Sequence, residues 1–328
     1  GVRLACRIKA SALEQGPMEL VSTPDNPAPA DAICAAVTTR DGISLRAMSA
    51  RVANSRGTVV VLGGRADFME RYFETMRDLM GRGYCVASFD LRGQGGSQRI
   101  TKNPLRGHIN SFDEYDEDVR SFMTQAVLPD CPPPYFALAH STGGNIILRA
   151  IRQRNWFKKA VIVSPLIDLN YGAWPAPVAK LLSRLFSAVG LGRLFLPGRP
   201  KGPMGRHDFP GNPLSLDQRR WNRDCAVLEA NPRLGVGGPT FKWLSAALDA
   251  IATLRRMKRT TALRCPVLIV MAGQDDVVDN DATRGFAQRV PGISLTIIRE
   301  ALHEVLLERD EVRAQFFAAM DTFLADKT

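Results

Sequence analysis

Three residue types, spread widely along the chain, set out what chemistry this sequence can do: a serine between small residues, a late histidine and a group of aspartates. Ser141 sits in Ala139-His140-Ser141-Thr142-Gly143-Gly144, after an apolar run and before an amphipathic one. A strand turning sharply into a helix at that point lifts the hydroxyl above a sheet, and small flanking residues let the backbones pass closely. Ala139 stands where glycine is usual and is still small. The helix N-terminus would also aim backbone N–H groups at a reacting oxygen.

A serine hydroxyl needs a base to become nucleophilic. The chain has four histidines. His140 adjoins the serine in the turn, so its side chain should point elsewhere; His108 precedes an acidic helix, and His207 lies in a basic segment rich in proline and glycine. His303 falls between the last apolar run and the last helix, at the carboxyl edge where doubly wound sheets bind ligands. It is the expected base. Residues 271–279 supply Asp275, Asp276 and Asp279 in the order Ser…Asp…His. Asp275 is expected to orient and charge-stabilise the imidazole, with Asp276 as its rival. The remaining carboxylates would cap the next helix. Two backbone amides should receive an oxyanion: that of Thr142, beside the nucleophile, and that of Arg65 in Gly63-Gly64-Arg65-Ala66. Glycine there permits the close approach that turns an N–H inward.

Those residues need a sheet to hold them. Residues 58–62, 84–89, 135–139, 160–163, 266–271 and 293–298 are short apolar runs that read as strands. Helical spacing appears between them, at Phe73, Met76, Leu79 and Met80, after Ser141, near 281–289 and near 310–325. Strands alternating with helices predict a mostly parallel, doubly wound sheet. Residues 33–38 and 43–49, parted by Asp41-Gly42, read as an antiparallel hairpin. The expected organisation is an N-terminal extension (1–32), a first core part (33–164), an inserted cap (165–250) and a second core part (251–328).

The chain carries a formal charge of +10. Residues 165–264 hold sixteen basic and six acidic residues, so the whole excess belongs to that one segment and the rest is neutral. Such a segment attracts phosphate in nucleic acid or in anionic lipid headgroups, or is simply a solvated surface. No nucleic-acid motif accompanies it. Within it Val178, Leu181, Leu182, Leu185, Phe186 and Val189 form an apolar stripe opposed by Lys180 and Arg184. That stripe either packs on the core or makes a cap face that admits acyl chains or touches a membrane. A second stripe, Phe241, Leu244, Leu248 and Ile251, reads as core packing. Three of the four tryptophans, Trp174, Trp221 and Trp243, also lie in this stretch.

No apolar run reaches the roughly 18–20 residues that span a bilayer. No export signal is evident, and Gly1 in place of Met leaves trimming open. Six scattered cysteines without a CxxC pair suit reduced thiols rather than a zinc site. A cytoplasmic protein that visits the inner face of a membrane is the expectation.

The run GGRADFMERYFETMRDLMGRGYCVASFDLRGQGGS resembles the matching stretch of monoacylglycerol lipases and bacterial lysophospholipases, a branch of the α/β-hydrolase superfamily of serine aminopeptidase type. Asp90-Leu91-Arg92-Gly93-Gln94-Gly95 with Ser97 matches that branch's D-x-R-G-x-G-x-S segment, and the likeness continues through GHINSFDEY, AHSTGG, VGGPT, AGQDDVVDN and ALHEVLLERD. It covers most of residues 33–328, is closest to the bacterial lysophospholipases and is weakest at roughly 170–230. Many members have His-Gly where this chain has Gly63-Gly64. The resemblance implies the α/β-hydrolase fold with a cap, a nucleophile at Ser141, an acid at Asp275, a base at His303 and oxyanion amides at Arg65 and Thr142. It implies hydrolysis of a monoacyl lipid ester, a lysophospholipid or monoacylglycerol, through an acyl-enzyme and without metal or organic cofactor. A basic cap would favour a phosphate-bearing lipid. The alternatives are a carboxylesterase or thioesterase on small soluble esters, and a non-catalytic binding protein of the same fold. A prolyl aminopeptidase reading would need acidic cap residues to hold a substrate amine, against the basic balance here.

Overall fold

The computed structural model describes residues 18–171, 175–198, 202 and 209–326. Trp174, His207 and residues 1–17 of the expected N-terminal extension lie outside them. The apolar runs become eight strands: β1 (Ile33–Thr38), β2 (Ser44–Ala50), β3 (Thr58–Leu62), β4 (Cys85–Phe89), β5 (Tyr135–His140), β6 (Lys159–Val163), β7 (Val267–Ala272) and β8 (Ile293–Ile298). They form one sheet in the order β1-β2-β4-β3-β5-β6-β7-β8. β2 pairs antiparallel with both β1 and β4, and every other neighbouring pair is parallel. The first hairpin turns through Gly42, whose φ of 82° suits glycine.

β3, β4, β6 and β7 are buried along their whole length because helices cover both faces. That is why they read as unbroken apolar runs rather than alternating ones. Val60, Leu62, Ile162 and Ile269 face one core with α2 (Phe112–Phe122), α4 (Thr142–Gln153), α7 (Phe241–Arg255) and α8 (Asn280–Arg289). Between α2 and α4, a π turn over Met123–Val127 leads into the short α3 (Leu128–Asp130). Val59, Val61, Val163 and Val270 face the opposite core with α1 (Phe73–Gly81) and α9 (Asp310–Ala325). The sheet is therefore the mostly parallel, doubly wound one expected.

Between β6 and β7 lie α5 (Ala176–Ala188), α6 (Gln218–Ala230) and α7. The second apolar stripe packs as read: Leu244, Leu248 and Ile251 join the main core. Residue 250, expected as the far end of the cap, falls inside α7, a continuous helix running on to Arg255. The first stripe divides. Phe186 stacks on Phe241 at 4.3 Å between ring centroids, and Leu182 is half-buried beside it. Val178, Leu181, Leu185 and Val189 remain exposed, Leu181 at 67% and Val189 at 60%. Helix α6 has no clear sequence signal, because its buried face mixes Trp221, Val227 and Leu228 with charged residues: Arg220 and Arg223 both reach Glu74 on α1, at 2.7 and 2.6 Å. Among the described residues no helix is long and apolar enough to cross a membrane.

A buried charge cluster organises the loop after β4. Arg46 on β2 holds Glu70 at 2.7 Å and Asp90 at 2.6 Å, with all three side chains essentially without solvent. Asp90 in turn accepts from the amides of Met69 (2.8 Å) and Gly96 (2.6 Å), and Ser97 Oγ donates to its carbonyl at 2.6 Å. Removing one partner leaves uncompensated buried charge. Arg46→Met is expected to lower unfolding free energy by about 3–5 kcal/mol in urea titrations; a loss below about 1 kcal/mol, the range of an exposed pair, would contradict this reading.

Candidate active site

The end of β5 runs straight into α4, and the residue between them is Ser141, at φ 53° and ψ −114°. A non-glycine residue holds a positive φ only when its surroundings enforce it. Here Ser141 N donates to Val163 O, and Ser141 O accepts from Leu166 N, each at 3.0 Å, which anchors the turn to β6. The glycine after the turn is dictated by space: a Cβ on Gly143 would lie 2.5 Å from Gly63 O and 2.7 Å from Leu62 O. A Cβ on Gly144 would lie 2.6 Å from Ile162 Cγ2. The sequence Ser-Thr-Gly-Gly therefore lets the start of α4 lie against the end of β3.

His303 follows β8 and enters the same space. Its Nε2 lies 3.0 Å from Ser141 Oγ, and its Nδ1 lies 2.7 Å from Asp275 Oδ2. All three side chains are buried, Ser141 being the most open at 9%. Asp275 is fixed by a second set of bonds, its Oδ1 accepting from the amides of Val277 (2.8 Å) and Val278 (3.1 Å). Burial would raise the Asp275 carboxyl, but the His303 hydrogen bond and charge and the two amides outweigh it and hold the group below its ordinary value. The structure thus brings Ser141, His303 and Asp275 into one hydrogen-bonded row. Asp276 is exposed, and Asp279 caps α8 by accepting from Asp281 N and Ala282 N.

Thr142 is the first residue of α4, and Arg65 lies in the loop after β3. A Cβ on Gly64 would stand 3.1 Å from Ser141 Cβ, so this loop passes directly beside the serine. The Arg65 guanidinium donates to Gly237 O at 3.0 Å and lies over the Trp243 ring, tying the loop to the segment before α7. His108 bonds Thr240 Oγ1 at 3.1 Å and takes no part in the row. Among the described residues no cluster of three or more His, Cys, Asp or Glu is placed to hold a metal ion.

Sequence reasoning placed the His140 side chain away from the serine but gave it no task. It spans two of the loops: Nε2 lies 3.2 Å from His303 O, and Nδ1 lies 3.3 Å from Tyr72 Oη and 3.6 Å from Asp67 Oδ2. Asp67 also accepts from Gly64 N (2.5 Å) and Tyr72 Oη (2.6 Å), and it pairs with Arg71. Arg71 carries the network on to Glu304 at 2.5 Å and to Asp224 of α6 at 2.8 Å. Asp67, Arg71, Tyr72 and Glu304 have no sequence signal beyond lying within the quoted motifs, and Asp224 lies in none of them. Their pairing depends on contacts between segments as many as 233 residues apart.

A family model described as serine aminopeptidase, S33, matches residues 53–310. The probable lysophospholipase L2 of Haemophilus influenzae is 30% identical over 271 residues, which is 82% of this chain and 84% of that protein. The lysophospholipase L2 of Escherichia coli K12 is 28% identical over 300 residues, covering 86% of this chain and 84% of its own. Among solved structures, a soluble variant of the monoglyceride lipase of Saccharomyces cerevisiae superposes with a TM-score of 0.69 at 20% identity, covering 89% of this chain and 96% of that one.

The His140–Asp67 pair has a pH signature. Burial would push the His140 imidazolium down, but the Asp67 hydrogen bond and charge, with Glu304 adding, overcome that and raise it. Asp67, despite burial, is held well below the carboxylate range by Arg71 and His140. A raised folded-state value means the stabilisation is complete below the unfolded histidine value of about 6.5 and fades as pH rises through the folded one. Urea unfolding free energy is therefore expected to decline as pH climbs above about 6.5, with a flatter response in His140→Asn. Stability that rose over that range in the unmutated chain would contradict the pairing.

Proposed function

The chain belongs to the serine aminopeptidase S33 family and is a carboxylic ester hydrolase of the α/β-hydrolase fold, and we propose that it cleaves the acyl ester of a monoacyl phospholipid through an acyl-enzyme on Ser141. The observation that carries this reading is the buried row Ser141 Oγ–His303 Nε2–Asp275 at 3.0 and 2.7 Å, with the serine on a strained strand-to-helix turn. In the proposed reaction His303 takes the hydroxyl proton as Ser141 attacks the ester carbonyl. The oxyanion collects on the backbone amides of Arg65 and Thr142. His303, its positive charge balanced by Asp275, passes the proton to the departing glycerol oxygen. Water, deprotonated by the same imidazole, then releases the fatty acid.

The phosphate-bearing substrate is favoured over a neutral glyceride by the charge of the segment between β6 and β7, which we propose forms a cap. Its α5 presents Val178, Leu181 and Leu185 to solvent, and Val189, Leu191 and Leu194 beyond it extend the apolar surface. Each such leucine fully buried in an apolar phase contributes about 1.5–3 kcal/mol, and each basic residue near an anionic surface about 1 kcal/mol. A few of each suffice for transient docking. On this reading the protein is cytoplasmic and visits the anionic inner face of a membrane, where its substrate resides. The lysophospholipase relatives support the substrate class.

The test is a substrate panel. Lysophosphatidyl lipids in anionic vesicles are expected to be turned over in preference to short soluble esters, with the rate falling as salt rises. Leu181→Asp/Leu185→Asp is expected to lower vesicle turnover at least about 10-fold more than turnover of a monomeric short-chain ester. Preference for the short soluble ester, together with indifference to salt, would instead favour the small-ester reading.

A further inference from the structure

The loop after β4 carries a residue whose side chain is spent entirely on the loop after β3. Gln94 is 5% exposed. Its Nε2 donates to Gly64 O at 2.7 Å and to Asp67 O at 3.1 Å, and its Oε1 accepts from Ala66 N at 3.1 Å. A carboxamide has two donor hydrogens and one acceptor oxygen, and here both ends close on the four residues 64–67.

The first of these bonds bears on the site. Gly64 C=O and Arg65 N–H belong to one peptide unit, and in a planar trans peptide they point in opposite directions. A donor that grips the Gly64 carbonyl therefore fixes the direction of the Arg65 N–H, which must face away from Gln94. Accepting a hydrogen bond at that carbonyl also polarises the peptide and strengthens the N–H as a donor. The bond to Ala66 N secures the next peptide, where Ala66 is held at φ 65°, a conformation that costs an alanine energy unless its surroundings impose it. On the remaining side, Asp67 Oδ2 accepts from Gly64 N at 2.5 Å. Gln94 is itself rigidly seated: its N donates to Leu91 O at 3.2 Å, its O accepts from Ser97 N at 3.1 Å, and Asp90 holds the following turn.

We propose that Gln94 is a positioning residue that aims the Arg65 amide at the oxyanion. This rests on the serine-hydrolase reading above, in which that amide is one of two donors. Gln94 acts through the peptide it grips, so its loss is felt where negative charge develops rather than where the substrate docks.

The test compares Gln94→Leu, which removes all three bonds, with Gln94→Glu, which keeps size and the acceptor for Ala66 N but sets a carboxylate against two carbonyl oxygens. Losing one oxyanion donor typically costs about 10²- to 10³-fold in turnover, so a fall in kcat of about 10²-fold is expected, with KM within about threefold. The discriminating readout is an ester against its thionoester, whose sulfur is a poor hydrogen-bond acceptor at the position of the oxyanion. The oxygen-ester preference of the parent protein should shrink at least about 10-fold in both variants. A purely structural role would scale both turnovers together. An unchanged ratio in folded variants, shown by a cooperative thermal transition, overturns the assignment. Ser141→Ala is assayed alongside: if it stays active, the serine-hydrolase reading itself fails, whereas an inert Ser141→Ala with an unchanged ratio in the Gln94 variants sinks only the role of Gln94.

Discussion

Two stretches of backbone that almost touch govern the structure of this site. The end of β3 and the start of α4 lie so close that any side chain at Gly143 would overlap the carbonyls of Leu62 and Gly63. That proximity sets Ser141 at the apex of its turn and puts the loop after β3 beside its hydroxyl. It is possible because β3 and β5 are adjacent parallel strands in the middle of the sheet, so both chains leave the sheet at the same edge. The same edge releases β7 and β8, whose following loops bring Asp275 and His303. One sheet topology thus delivers four loops to one place.

Sheet topology brings the loops together, and buried charge fixes their positions. Asp67 is bonded to the end of β5 through His140, to its own loop through Gly64 N, and through Arg71 to the residue after His303. Arg71 adds Asp224 of α6, so the segment between β6 and β7 is joined to the same network. A buried group left without its partner is costly, which makes such a network sensitive to the loss of any member. Its registry value is that the loops cannot shift independently.

Much of this was legible in the sequence, and the pattern of what was not has a physical basis. That Ser141, His303 and Asp275 would meet could be read because each sits at a junction whose type follows from local periodicity, and because few histidines compete. Asp276 is separable from Asp275 only in the folded chain, where Asp275 is buried against His303 Nδ1 at 2.7 Å and Asp276 is exposed. The core strands declared themselves as apolar runs. Helix α6 did not, since it buries Arg220, Arg223 and Asp224 beside Trp221, Val227 and Leu228, and charged residues on a helix read as a solvated face. The stripe on α5 carried two possible meanings, and the structure divides it, with Leu182 and Phe186 turned to α7 and Leu181 and Leu185 to solvent. His140, Asp67 and Gln94 were invisible as a group because their partners are distant in sequence and nothing in spacing predicts them.

The central claim is that Ser141 is a nucleophile made reactive by His303. Exposure to a fluorophosphonate, followed by intact-mass measurement and peptide mapping, tests it directly. The account expects a single adduct located on Ser141, formed in the parent protein and slowed by orders of magnitude in His303→Ala. An unmodified protein, or an adduct on another residue that persists in Ser141→Ala, would contradict it.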